Sequence, residues 1–129
     1  MRIREGAIVD VGSGEPKAHT PSAQSSDEIR VIDAGGGIIM PGMVNGHTHI
    51  GMSLFRSLAD DTADRLRRIL FPLEKNTITE ELVYAASMLT MVEMVQGGVT
   101  CFADMYYFEQ RVAEAAEEIG LRCILGETI

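Results

Sequence analysis

Histidine, cysteine and basic residues are all scarce in this chain, and each scarcity narrows what it does. Only three histidines occur in 129 residues, His19, His47 and His49, so any imidazole chemistry is confined to them. The two cysteines, Cys101 and Cys123, belong to no paired Cys motif, which argues against a structural zinc built on thiolates. Both sit in apolar segments and read as buried free thiols of a reducing compartment rather than as a disulfide. Eleven Lys and Arg stand against 19 Asp and Glu, a formal charge of −8. That balance weighs against nucleic acid and anionic membrane as partners. Met1-Arg2-Ile3-Arg4 leads into Glu5 and Gly6 with no apolar signal core. No run reaches transmembrane length, and the expected location is the cytoplasm. A hydrophobic content of 46% supports a globular protein of about one domain with room for a core.

The most informative stretch is Met40-Pro41-Gly42-Met43-Val44-Asn45-Gly46-His47-Thr48-His49. It ends an apolar, β-rich run with two imidazoles two positions apart. On a strand, residues i and i+2 share a face, so His47 and His49 aim at one point, as two ligands of one metal ion must. A catalytic zinc takes three protein ligands and keeps a position open for water. The remaining histidine, His19, falls in a polar loop, so the chain carries the beginning of a metal site. Asn45 shares the parity of the histidines and is a candidate to orient one of them.

Around this stretch the punctuation is regular. Residues 1–12 read as a hairpin with Ile3, Ile8 and Val9 around Gly6, and residues 12–28 as a loop. Gly12-Ser13-Gly14 lacks the rest of a dinucleotide fingerprint. Ile29 to Asp33 reads as a short strand and Gly35-Gly36-Gly37 as a turn. Residues 50–77 form a long connection with an amphipathic piece from Asp61 to Leu70 that ends at Pro72. A helix starts near Thr79, with Thr77 or Thr79 as its cap, and stops at Gly97-Gly98. Its sides are mostly apolar, which suits packing between neighbours. Val99 to Ala103 is an apolar strand running into Asp104. Glu109 to Ile119 is a helix closed by Gly120, and Leu121 to Leu125 is the next strand. Apolar strands alternating with helices predict an α/β fold with a parallel sheet of βαβ units. Three such strands leave an open edge and an apolar face, whereas a closed eight-stranded barrel takes roughly 200 to over 400 residues.

Pro41 to His49 resembles the first barrel strand of the amidohydrolase superfamily. Within it, the stretch is most similar to the aminohydrolase branch of methylthioadenosine/S-adenosylhomocysteine deaminases and triazine hydrolases. Further matches follow in order: Leu54-Phe55-Arg56 with Ala59-Asp60-Asp61, Pro72-Leu73-Glu74, Glu93-Met94 before Gly98-Val99-Thr100, and Phe102-Ala103-Asp104-Met105-Tyr106. Ser57 stands where the family has glycine, and the connection after His49 is slightly shorter and lacks the relatives' tryptophan. The resemblance implies a metal-centred TIM barrel joined to a small β-sandwich. Residues 1–40 would be part of the sandwich, and residues 41–129 the first three βα units of an incomplete barrel. It also implies that this is the N-terminal portion of an enzyme.

The resemblance implies one divalent metal ion, zinc or alternatively iron, with His47 and His49 as ligands. Asn45, where binuclear relatives carry Asp, favours a mononuclear site. It implies hydrolytic deamination or dechlorination of a purine nucleoside or amino-heterocycle by activated water, with a small heterocycle as substrate. Glu74, in a Pro-x-Glu motif, would accept from ribose hydroxyls; as a bland alternative it is a solvated charge at a helix start. Asp104 reads as a structural carboxylate that caps a helix or orders a loop, at the face where barrel chemistry occurs. No catalytic acid or base is located. Two other readings stay open, a truncated product that acts only by association, and one half of a split enzyme. Both, like a homo-oligomer, would use the exposed sheet edge.

Overall fold

The computed structural model describes residues 1–14 and 30–129, so His19 and Ile29 lie outside the described residues. The chain forms two compact units, Met1–Ile38 and Ile39–Ile129. In the first, β1 (Arg2–Arg4) and β2 (Ala7–Asp10) pair antiparallel, with Ile3 opposite Ile8. Glu5 and Gly6 make the turn with φ of 51° and 76°. Two consecutive positive φ angles match the twist of a tight hairpin, which is why glycine stands in the second place. Of the strand expected over Ile29–Asp33, the described part, Arg30–Asp33, is irregular, with Val31 and Ile32 exposed. Among the described residues they have no strand to pair with, and β propensity without a partner does not make a strand. The turn at Gly35-Gly36 is present, anchored by Asp33 Oδ1, which accepts from the Gly35 amide at 2.8 Å.

The second unit is a three-stranded parallel sheet in sequential order. It comprises β3 (Met43–Thr48), β4 (Val99–Tyr106) and β5 (Arg122–Glu127). Three helices accompany it: α1 (Phe71–Thr77), α2 (Glu80–Gln96) and α3 (Glu109–Ile119). A 3₁₀ segment, Ile50–Phe55, follows β3, and a wide helical turn, Leu66–Leu70, leads directly into α1. Pro72 thus lies inside a continuous helical run, where the sequence suggested that a helix ends. The wide turn before it, where the Phe71 amide reaches back five residues to Leu66 O, is what lets the helix run on through a residue with no N–H. Thr79, not Thr77, caps α2: its Oγ1 accepts from the Leu82 amide at 3.2 Å, while Thr77 Oγ1 donates to Leu73 O. Gly42 begins the approach to β4, where an added Cβ would lie 2.1 Å from Thr100 Cγ2.

The core lies between the sheet and α2, α3 and the 3₁₀ segment. It contains Ile50, Val83, Met91, Phe102, Tyr106, Val112, Ala115 and Ala116. Strand alternation decides its composition. Phe102, Asp104 and Tyr106 point into it, and Met105 on the other face is half exposed. That other face is apolar and open, with Val44 and Ile124 about 70% exposed (69% and 72%). Helix α2 buries one side, while Leu89, Val92 and Val95 stay exposed. Gly51 is a close-packing glycine. An added Cβ would lie 2.6 Å from Tyr106 Cδ1 and 3.3 Å from Val83 Cγ1. Gly51→Ala is therefore expected to cost about 2 kcal/mol, the usual cost of overpacking a core. Thermal unfolding checks this, and an unchanged midpoint would refute the packing.

Candidate metal centre

Strand β3 runs through the histidine pair, and its pairing with β4 is irregular between Asn45 and Thr48. The irregularity turns Thr48 toward β4, where its hydroxyl lies 2.8 Å from Ala103 O and 3.1 Å from Asp104 Oδ1. His47 and His49 flank Thr48, and their rings meet edge to face with centroids 4.9 Å apart. His49 Nδ1 lies 2.7 Å from Met105 O. A backbone carbonyl only accepts, so Nδ1 carries the proton and Nε2 keeps its lone pair. A carbonyl behind one ring nitrogen is how a ligating imidazole is oriented toward a cation. The pair therefore fits a divalent ion as part of its coordination shell. Among the described residues no third His, Cys, Asp or Glu joins it.

The other candidates fall at defined distances from this pair in the fold. Asn45 makes no hydrogen bond to either ring among the described residues; its Oδ1 accepts from the His47 backbone amide at 3.4 Å, so its hydrogen bond bears on the strand. Asp104 is buried, and both its oxygens accept from the Ile50 amide, at 3.2 and 3.1 Å. With Thr48 on Oδ1, Asp104 ties down the residues on both sides of His49. Glu74 lies in the first turn of α1 and is 5% exposed, not a solvated charge; Tyr106 donates its phenol hydrogen to Oε1 at 2.8 Å. Glu74 does not line the shallow groove of about 360 Å³ beside His49, which is bordered by Ser53, Arg56, Thr90 and Glu93. There Arg56 holds Glu93 through two bonds, at 2.8 and 3.2 Å, which raises the guanidinium pKa further. Ser57 adopts φ of 60°, in the left-handed region that favours glycine.

Three contacts escaped sequence reading. The Met105 carbonyl carries no side-chain signal. The Tyr106–Glu74 bond joins residues 32 positions apart, although the period-two alternation of Phe102, Asp104 and Tyr106 could have placed Tyr106 on the buried face. Glu127, at the end of β5, caps α3 from a distance: its two oxygens accept from the amides of Phe108 at 2.9 Å and Glu109 at 2.7 Å. Phe108 itself sits at φ of 57° and offers no side-chain cap. Glu109 is buried with neither carboxylate oxygen hydrogen-bonded. Burial first, and then the Asp104 charge, push its pKa up to about 7. Cys101 and Cys123 are free and half-buried, and burial raises the Cys123 thiol.

The chain thus places an imidazole pair at the C-terminal end of the first strand of a parallel βα sheet. Residues 38–129 match the model of the amidohydrolase family, and the chain belongs to that family. Among its relatives, the 5-methylthioadenosine/S-adenosylhomocysteine deaminase 1 of Syntrophus aciditrophicus is 41% identical over 132 residues, covering 99% of this chain and 30% of the relative. The 5′-deoxyadenosine deaminase of Methanosarcina mazei is 42% identical over 126 residues, covering 96% and 27%. A zinc-bound adenosine deaminase from Xanthomonas campestris superposes with a TM-score of 0.63 at 37% identity, over 65% of this chain and 20% of that one. An atrazine chlorohydrolase from Arthrobacter aurescens TC1, complexed with zinc, shares the fold at a TM-score of 0.58 and 18% identity, over 67% and 23%. The chain thus spans less than a third of the length of these relatives.

Proposed function

We propose that this chain takes part in hydrolytic deamination of an adenosine-type nucleoside or related amino-heterocycle, with His47 and His49 as ligands of one divalent ion, zinc by preference. The observation that supports it best is the His49 Nδ1 to Met105 O contact, which leaves Nε2 free beside the His47 ring. His47 and His49 would hold a divalent ion there, and the chemistry it would supply is the acidity that makes water a nucleophile for hydrolysis. The chain's own residues do the holding. Asp104 and Asn45 hold the backbone around the imidazoles, and Glu74, held by Tyr106, is the residue we assign as acceptor for ribose hydroxyls. The small β-hairpin unit is read as part of a sandwich, and β3, β4 and β5 as the first three strands of a TIM barrel.

The test is a zinc titration against a chromophoric chelator, together with a deamination assay on adenosine-type nucleosides. One zinc per chain is expected. His47→Ala and His49→Ala should each weaken binding by at least about tenfold, because second-shell changes alone already cost that much. Retention of full affinity by either variant would overturn the assignment.

A second reading rests on the open edges. Among the described residues β3 and β5 are paired on one side only, and two imidazoles do not complete a catalytic shell. In that reading, association through a sheet edge with a second copy or with a chain supplying further strands completes the site. Light scattering separates the two, since a compact stable monomer is incompatible with the second.

A further inference from the structure

Glu74 and Tyr106 sit on different elements, the first turn of α1 and the last residue of β4, yet both are almost fully buried (5% and 4% exposed) where they meet. The bond is held in place from the far side. The Tyr106 ring packs on Gly51 too closely for any Cβ and lies in the core with Ile50 and Val83. Burial first, and then the bond to Glu74, drive the phenol pKa well above its ordinary value, so it remains a donor throughout the working range. Glu74 Oε1 is thereby committed, while Oε2 makes no hydrogen bond among the described residues. A carboxylate with one oxygen pinned presents the other in a fixed direction, and each oxygen has two lone pairs for hydroxyl donors.

We propose that Tyr106 is a positioning residue for Glu74, and that preference for a substrate with a vicinal diol runs through it. This rests on the reading of Glu74 as the diol acceptor and adds what aims that acceptor. Without the phenol, Glu74 would gain rotamer freedom and a second unpartnered oxygen. Both raise the cost of ordering the carboxylate against two hydroxyls.

The experiment compares adenosine with 2′,3′-dideoxyadenosine, which lacks only the two hydroxyls, by titration calorimetry on the whole chain. The unsubstituted protein is expected to bind adenosine about tenfold tighter or more, the usual effect of hydrogen bonds to a charged acceptor. Tyr106→Phe keeps the ring against Gly51 and should lose most of that ratio while its affinity for the dideoxy compound stays unchanged. Loosening of the fold would instead weaken both ligands alike. Glu74→Gln should lose the ratio with Tyr106 intact. If Glu74→Gln keeps the ratio, or if the unsubstituted protein shows none, Glu74 is not the diol acceptor and both readings fall. If Glu74→Gln loses it and Tyr106→Phe keeps it, the Glu74 reading stands and the positioning role is overturned.

Discussion

Raising the pH from 5 to 8 is expected to remove up to about 3 kcal/mol of stability through Glu109 alone. Its carboxyl has an ordinary pKa of 4.5 when the chain is unfolded and about 7 in the fold. The folded state therefore holds the proton more tightly than the unfolded state does. The contribution is fully present below about 4.5, declines as the pH rises and is gone above about 7. A shift of this size corresponds to about 3 kcal/mol. The cause is local. Burial leaves both oxygens without a hydrogen-bond partner, and the Asp104 and Glu127 charges face them from β4 and β5. The backbone of Tyr106 pulls the other way, without hydrogen-bonding geometry. Glu109→Gln carries no titrating proton, so its urea midpoints should stay flat, relative to the unsubstituted protein, between pH 5 and 8. Parallel slopes for the two proteins would refute the assignment.

Asp104→Ala is expected to cost about 3 kcal/mol and to weaken zinc binding by roughly 10- to 100-fold. The first effect follows from leaving the buried Ile50 amide without its acceptor and from removing a charge-assisted bond. The second follows from position. Thr48 and Ile50, the two residues held by Asp104, bracket His49, whose ring takes its direction from the next carbonyl along β4. Outer-shell changes of this kind typically lower metal affinity by that factor. Asp104→Asn, which keeps one oxygen as acceptor, should fall between. Unfolding curves and chelator competition measure the two effects separately. A variant that is destabilised but binds zinc as before would show Asp104 to be purely structural.

The residues that reveal the family are those whose chemistry is written in spacing. His47 and His49 at i and i+2, the apolar strand Val99–Ala103 and the glycines at 97, 98 and 120 are legible because strand alternation and helix termination are short-range effects. The parallel α/β sheet follows from them. Errors fell where a local preference needed a partner or a direction. Val31 and Ile32 have strand propensity and nothing to pair with among the described residues. Pro72 reads as a helix boundary, but the wide turn before it carries the helix through to Thr77. Asn45 has the right parity to reach a ring, but it turns to the backbone of His47 instead.

By itself the sequence determined the α/β class, the spacing of the histidine pair and the family, because each of these is carried by residue types at fixed short intervals. Only the tertiary structure decided what stands behind those residues. The Met105 carbonyl on His49, the two amide and hydroxyl contacts of Asp104 around it, and the Tyr106 phenol on Glu74 all cross from one element to another. Such contacts depend on strand register and on how deeply each side chain is buried. Those quantities are set when the chain packs, and no spacing along it records them.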